Sequence, residues 1–442
     1  MKIYFYGGVQ TVTGSNFLLE DKSKILIDCG LVQKEKSCSL ENFLPFPYEA
    51  EYIKAVLITH AHLDHVGRLP KLLKEGFRGY IYSTLPTKEL AEEILLDSQK
   101  IIEENCREMD KENLYQKEDV EKIMGRWQTI DYHQKFNLDD FEIEFYNSGH
   151  ILGSAFIKIN NIVFSGDLGN KGKSLTQNLE KLPPVDYLIL ESTYGDRNHE
   201  NLENRREILE KILEKIIYEK RILIIPAFAL ERAQEIIFDI QQLIEEKKIP
   251  GIKIFLDSPL ALKISRIYEK YSEYLNQESA KNILSQGIFN QEYLKIVQDN
   301  EGEREMFLSP NPKIILAGSG MVTGGKILKI LKNYIEDRKT TVLFVGYQAE
   351  GSLGRKILDG EKDVFLEGEN LNIKAEILTL FSYSAHCDQE GILNWLKPQK
   401  FQLKKIFLTH GDEKAKQELK RKIMDELAIE TIIPVENFSI EL

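Results

Sequence analysis

"THAHLDHVG", residues 59–67, places three histidines and one aspartate within six positions. The whole chain of 442 residues has eight histidines, so the crowding calls for a cause. Solvent-facing imidazoles gain nothing from clustering, and strand interiors avoid them. The stretch follows the apolar run "AVLI", so His60, His62, Asp64 and His65 read as ligands on a turn just past a strand.

Other apolar strands end in the same way. "ILIDCG" ends at Asp28, "YNSGHILGS" delivers His150, "IVFSGDLG" delivers Asp167, and "IFLTHGD" delivers His410. Lone His or Asp residues beside Gly, after an apolar strand, lie on loops at one sheet edge, where α/β proteins build their sites. With His386, which ends the strand-like "AEILTLFSYSAH", six of the eight histidines follow this pattern or the cluster itself. Satisfied turn residues are the plain alternative, good for one histidine and poor for six.

Zinc accepts imidazole nitrogen and carboxylate oxygen. His60, His62 and His150 can hold one ion, Asp64, His65 and His410 a second, and Asp167 can bridge the two. A pair of metals about 3.5–4 Å apart clamps the attacking and leaving oxygens of a phosphoryl displacement. His133 and His199 receive no ligand role.

Composition bounds the rest. Apolar residues make up 42% and charged residues 29%, which is ordinary for a soluble globular protein, and the length suits two domains. No apolar run approaches the roughly 20 residues that span a bilayer, and "MKIYFYGGVQ" enters a strand pattern without signal-peptide anatomy. A cytoplasmic protein with no membrane partner is expected. Cys29, Cys38, Cys106 and Cys387 form no C-x-x-C pair, which indicates neither a zinc knuckle nor a disulfide framework. Cys29 and Cys387 read as small buried hydrophobes. The net charge of −12 argues against broad nucleic-acid affinity but leaves room for a local basic cleft or a metal centre.

The first two hundred residues read as short strands with few helices, helical periodicity appearing at 87–105 and about 117–127. After Tyr194 strict alternation sets in. Helices are expected at 201–220, 231–248, 260–275 and 324–337, with strands "RILIIPAFA", "KIFLDSP", "KIILAGSG" and "TTVLFVGY" between them. Such alternation signals a parallel sheet covered on both faces. The last segment returns to the earlier style. One α/β unit, residues 201–365, is therefore expected to interrupt a domain built from 1–200 and 366–442.

The H-x-H-x-D-H string at His60, His62, Asp64 and His65 resembles the signature of the metallo-β-lactamase superfamily, and Asp28, His150 and Asp167 match its other early motifs in order. The resemblance implies an α/β fold: an αββα sandwich with two Zn2+ per chain at one sheet edge, Asp28 supporting the ligands and Asp64 serving catalysis as well as binding. The flanks of the insert look like the β-CASP subgroup of RNA- and DNA-cleaving nucleases: "LILESTYGDR" with Glu191, "FSYSAHCDQ" with His386, and "FLTHGD" with His410. "TVTGSNFLL", "LDSPLA", "AGSGMVTGGKIL" and "GYQAEGSLGRKIL" also look like this group, nearest to the mRNA 3′-end cleavage type and its prokaryotic relatives. Resemblance extends over essentially the whole chain.

It implies a zinc-dependent endoribonuclease that hydrolyses single-stranded RNA through metal-activated water. Within the superfamily the alternatives are a 5′-exoribonuclease, a DNA nuclease or a small-molecule hydrolase; a histidine at 410 favours RNA. A silent scaffold is disfavoured because every ligand position is filled. His386 is the candidate general acid, oriented by Glu191; the alternative is a hydrogen-bonded pair tying the insert to the core. Gly318, Ser319, Gly320 and Met321, before a helix, are the candidate phosphate site. Arg355 is a further phosphate contact or else a solvated helix arginine. A homodimer is compatible with this reading, although the C-terminal dimerising domains and N-terminal RNA-binding modules of some relatives are expected to be missing.

Overall fold

Burial alternates along the strand Lys2–Gly7, with Ile3 and Phe5 fully inside, which is the two-residue period of a strand with one face in a core. The computed structural model to which this strand belongs describes residues 1–33, 39–108, 110–199, 204–287, 292–348 and 351–442. It divides into two units: Met1–Lys171, Gln177–Asn198 and His386–Leu442 form the first, Gly172–Thr176 and His199–Ala385 the second.

In the first unit, one seven-stranded sheet runs in the order Phe438–Glu441, Lys2–Gly7, Asn16–Glu20, Lys24–Ile27, Ile53–Leu57, Tyr80–Ser83 and Trp127–Thr129. The second runs Glu430–Ile432, Lys405–Thr409, Tyr187–Glu191, Ile162–Phe164, Ala155–Ile159, Phe141–Asn147 and Phe136–Leu138. Ile3, Phe5, Ile27 and Leu57 of the first sheet pack with Phe145, Ile157, Phe164 and Phe407 of the second in one core. On the second sheet's outer face, Leu188, Leu190 and Leu408 meet Trp395 and Leu419 from helices Gln389–Leu396 and Glu413–Leu427. Helices Leu85–Glu108 and Lys117–Met124 bury Leu90, Leu95, Val120 and Ile123. The layering is the expected αββα sandwich. The strands Ile162–Phe164, Tyr187–Glu191 and Lys405–Thr409 pair parallel, so their carboxyl ends emerge at one edge.

The second unit is built on six strands, in the order Leu294–Ile296, Lys253–Asp257, Lys313–Ala317, Ile222–Pro226, Thr340–Phe344 and Glu376–Thr379. All pairings are parallel. Successive residues face opposite sides: Leu223 and Ile225 join one core with helices Arg205–Tyr218 and Arg232–Glu245, and Ile222 and Ile224 join the other with Lys326–Tyr334. Near-continuous apolar strands are what a sheet covered on both faces requires.

Several boundaries differ from the sequence reading. The insert reaches 385 rather than 365, because Glu376–Thr379 pairs parallel with Thr340–Phe344. Residues 172–176 also belong to the second unit. The helix expected over 324–337 starts at Lys326, since Gly325 has φ +73° and cannot continue a helix upstream. Residues 201–203 of the expected helix 201–220 lie outside the described residues. Helices Gln277–Gln286 and Asn300–Leu308 were not foreseen. Cys29 and Cys387 are free and buried as expected, whereas Cys106 is disulfide-bonded, against the cysteine reading. Among the described residues no helix is long and apolar enough to cross a membrane.

Candidate metal centre

All seven residues read as ligands converge in the first unit. His60, His62, His150 and Asp167 form one group of potential metal-holding atoms, and Asp64, His65 and His410 another, each within 4.8 Å. In the first group, His60 Nε2 lies 3.0 Å from His62 Nδ1, and His150 Nε2 lies 3.2 Å from the same atom. Asp167 Oδ2 is 3.3 Å from both His60 Nε2 and His150 Nε2. The edge of a tetrahedron with zinc–nitrogen bonds of ~2.05 Å is about 3.3 Å, so these four atoms have the spacing of one coordination shell.

The second group is wider. His410 Nε2 is 3.3 Å and His65 Nε2 3.9 Å from Asp64 Oδ2. Asp167 turns its other oxygen to this side, Oδ1 lying 3.5 Å from His65 Nε2 and 3.5 Å from His410 Nδ1. One carboxylate thus presents one oxygen to each group. Two buried atoms here, His65 Nε2 and Asp167 Oδ1, have no hydrogen-bond partner among the described residues. Buried polar atoms are normally satisfied, and a divalent cation would satisfy both. The donor set, imidazole nitrogen with carboxylate oxygen, fits such an ion.

Asp28 fixes the tautomer of His65. Its Oδ2 accepts from His65 Nδ1 at 2.7 Å and from Thr59 Oγ1 at 2.9 Å, and its Oδ1 accepts from the Thr59 amide at 2.8 Å. With Nδ1–H donated, Nε2 keeps its lone pair for a metal. Asp28→Asn is expected to lower metal affinity or activity by about 10–100-fold, the usual cost of losing such an orienting carboxylate. Isothermal titration of the metal-stripped variant measures it, and unchanged affinity and activity would remove the role.

Electrostatics separate the two groups. Burial depresses His60 to about 3, with the neighbouring His65 adding to the effect, and burial likewise depresses His62 to about 4. These imidazoles stay neutral and ready to donate lone pairs. Burial also acts on His65, but the charges of Asp167, Asp28 and Asp64 outweigh it and hold His65 well above the usual histidine value. His410 is raised against its burial by Asp167 and Asp64.

Glu191 and His386 stand at the rim. His386 Nδ1 lies 3.3 and 3.2 Å from the two Glu191 oxygens, and its Nε2 is 3.9 Å from Asp167 Oδ2. Glu191 also groups with Asp167 and His410 as a potential metal-holding set. Its oxygens, however, already accept from the Leu168 amide at 2.6 Å and from Thr193 Oγ1 at 2.6 Å, which suits an orienting carboxylate better than a ligand. Thr59 and Thr193 escaped the sequence reading, as did Ser154, whose Oγ accepts from the His150 amide at 3.0 Å. The one available signal was their place beside the motif residues. Gly166 (φ +51°) packs on this hub too: a Cβ there would lie 2.7 Å from the Thr59 Cβ.

The remaining candidates lie in the second unit. Residues 318–325 form a tight loop in which Thr323 N donates to Ser319 Oγ and Ile327 N to Gly318 O. Gly354 N donates to Met321 O, so the helix Leu353–Leu358 starts against this loop. Arg355, on that helix, spends its Nε on Asp359 at 2.9 and 3.1 Å.

Comparison with known proteins agrees with this arrangement. The family model described as a metallo-β-lactamase superfamily domain matches residues 17–164. That of the Beta-Casp domain matches 233–357, and that of the Zn-dependent metallo-hydrolase RNA specificity domain matches 370–434. "Ribonuclease TTHA0252" of Thermus thermophilus is 36% identical over 93% of this chain and 94% of its own length. "Transcription termination factor FttA" of Methanosarcina mazei is 32% identical over 98% of this chain and 70% of its own. A protein of unknown function from Enterococcus faecalis V583 shares the fold, with a TM-score of 0.56 at 12% identity over 100% of this chain and 99% of that one. With the two ligand groups and these matches together, the chain belongs to the β-CASP group of the metallo-β-lactamase superfamily, a family of metal-dependent hydrolases.

Proposed function

We propose that the protein is an endoribonuclease that cleaves single-stranded RNA with two zinc ions. His60, His62 and His150 would hold one ion and Asp64, His65 and His410 the other, with Asp167 offering one oxygen to each group. The observation that carries the reading is the division of Asp167 between the two groups, one oxygen to each. Bound there, the ions would supply Lewis acidity and lower the pKa of the attacking water.

The chain's own groups then do the following. Asp64, the more exposed of the ligand carboxylates, takes a proton from the attacking water. Glu191 accepts from His386 Nδ1 and so supports the imidazolium form of the ring, whose Nε2 proton goes to the leaving ribose oxygen. In the loop 318–321 the amides of Gly320 and Met321, with Arg355 on nearer approach of the strand, hold substrate phosphates. The relatives named a ribonuclease and a transcription termination factor support RNA as substrate and the cytoplasm as the place of action.

Incubation of 5′-labelled RNA and DNA strands of one sequence, with and without added zinc, tests this. Internal RNA fragments that require the metal are expected, with DNA and blunt duplex RNA cut far less. Mononucleotides released stepwise from the 5′ end would replace the endonuclease by an exonuclease. No RNA cleavage at any metal concentration would end the reading.

A further inference from the structure

Asp257 closes the strand Lys253–Asp257 at the carboxyl edge of the six-stranded parallel sheet. It is 2% exposed, and among the described residues neither carboxylate oxygen has a hydrogen-bond partner. Among the described residues the nearest cation is Lys326 Nζ, 3.9 Å away on a half-exposed side chain, too far to satisfy either oxygen. Burial pushes the Asp257 carboxyl above the usual carboxylate range, Lys326 only partly opposing it. An orphaned carboxylate of this kind costs stability, and its retention needs a reason.

Its surroundings supply one. In the adjacent parallel strand Asp257 is in register with Ala317, the residue directly before the loop 318–325. That loop opens the nine-residue helix Lys326–Tyr334, whose first residue carries the Lys326 ammonium. Among the described residues the amides of Gly320, Met321, Gly324, Gly325 and Lys326 donate no hydrogen bond. A glycine-rich loop and helix N-terminus on one strand, with an acidic residue at the tip of its neighbour, is the arrangement with which parallel sheets bind a nucleotide. The amides take the phosphate and the carboxylate takes a ribose hydroxyl. Asp257 belongs to none of the potential metal-holding groups among the described residues, and a carboxylate can only accept, so a hydroxyl donor fits it.

We infer that Asp257 accepts a hydrogen bond from the 2′-hydroxyl of the nucleotide whose phosphate rests on residues 318–326, and thereby selects RNA over DNA. This deepens the ribonuclease reading and rests on it. The 2′-hydroxyl is the group that distinguishes the two polymers at a single site.

The test is binding, read by fluorescence anisotropy in a His386→Ala background so that substrate survives. The probes are one RNA strand, its DNA counterpart, and RNAs carrying a single 2′-deoxy or 2′-O-methyl substitution moved along the strand. One position is expected to lose affinity by about tenfold when its hydroxyl is removed, the scale of one hydrogen bond to a charged group. Asp257→Ala should weaken RNA binding by the same factor, leave DNA binding unchanged, and abolish the sensitivity at that position. Asp257→Asn, which retains an acceptor, should fall between, and it carries the test should the alanine variant fail to fold. Equal losses on RNA and DNA, sensitivity to the base rather than the sugar, or no sensitive position would overturn the inference. RNA cleavage by the parent protein would survive that outcome, whereas failure of the ribonuclease reading abolishes cleavage itself.

Discussion

His386→Ala is expected to bind metal and RNA as the parent protein does and to cleave about 10²–10⁴-fold more slowly, the range for loss of a general acid. The expectation follows from the position of the ring. Nδ1 is held by Glu191, which is itself fixed by the Leu168 amide and Thr193, and Nε2 lies 3.9 Å from Asp167. A structural pair would behave otherwise, because its loss would lower the thermal midpoint and the metal content along with the rate. Single-turnover cleavage beside elemental analysis separates the two, and loss of zinc in this variant would make His386 a ligand. Replacing the leaving ribose oxygen by sulfur, a better leaving group that needs no proton, should restore much of the rate.

The larger effect is expected at Asp167. It is 2% exposed, serves both groups, and is held well below the usual carboxylate range, its burial opposed by the charges of His410, His65 and His60. Parent protein should carry close to two zinc ions per chain. Asp167→Ala should lose both together and cut RNA more than about 10⁴-fold more slowly, beyond the usual contribution of one proton donor. Chelation of the parent protein should mimic the variant and lower its thermal midpoint, since Asp64 and Asp167 would be left buried beside histidines that then need protons. An Asp167→Ala protein that retained two ions, or active parent protein with one ion or none, would end the shared-carboxylate scheme.

How much of this was legible in the sequence depended on whether the cause was local. His60, His62, Asp64 and His65 announce themselves because no core or surface role explains their spacing. His150, Asp167 and His410 do so because each breaks an apolar strand beside glycine. Thr59, which contacts Asp28, His60 and His65 at 2.9, 3.1 and 3.3 Å, was invisible. A threonine at a strand end is commonplace, and only the fold brings Asp28 to it. The end of the insert was misjudged for a similar reason. "AEILT" has the same composition as the strands of the sandwich, and nothing within it reveals that its partner is Thr340–Phe344. Asp257 was quoted within "LDSPLA" without a role, because the want of a partner is a property of the packed molecule.

The order of the two units along the chain bears on how the molecule assembles itself. All six strands of the second unit's parallel sheet come from one continuous stretch, Ile222–Pro226 to Glu376–Thr379, so that sheet can collapse by itself. The first unit must wait for its return, because Lys405–Thr409 lies beside Tyr187–Glu191 across the whole insert, and Phe438–Glu441 lies beside Lys2–Gly7 from the far end of the chain. Closing such distant pairs is the slow part of folding. His410, which follows the strand Lys405–Thr409, is thus among the last of the seven to arrive. A refolding chain should pass through a species with an ordered insert and no bound metal, and gain its power to cut RNA only at the end.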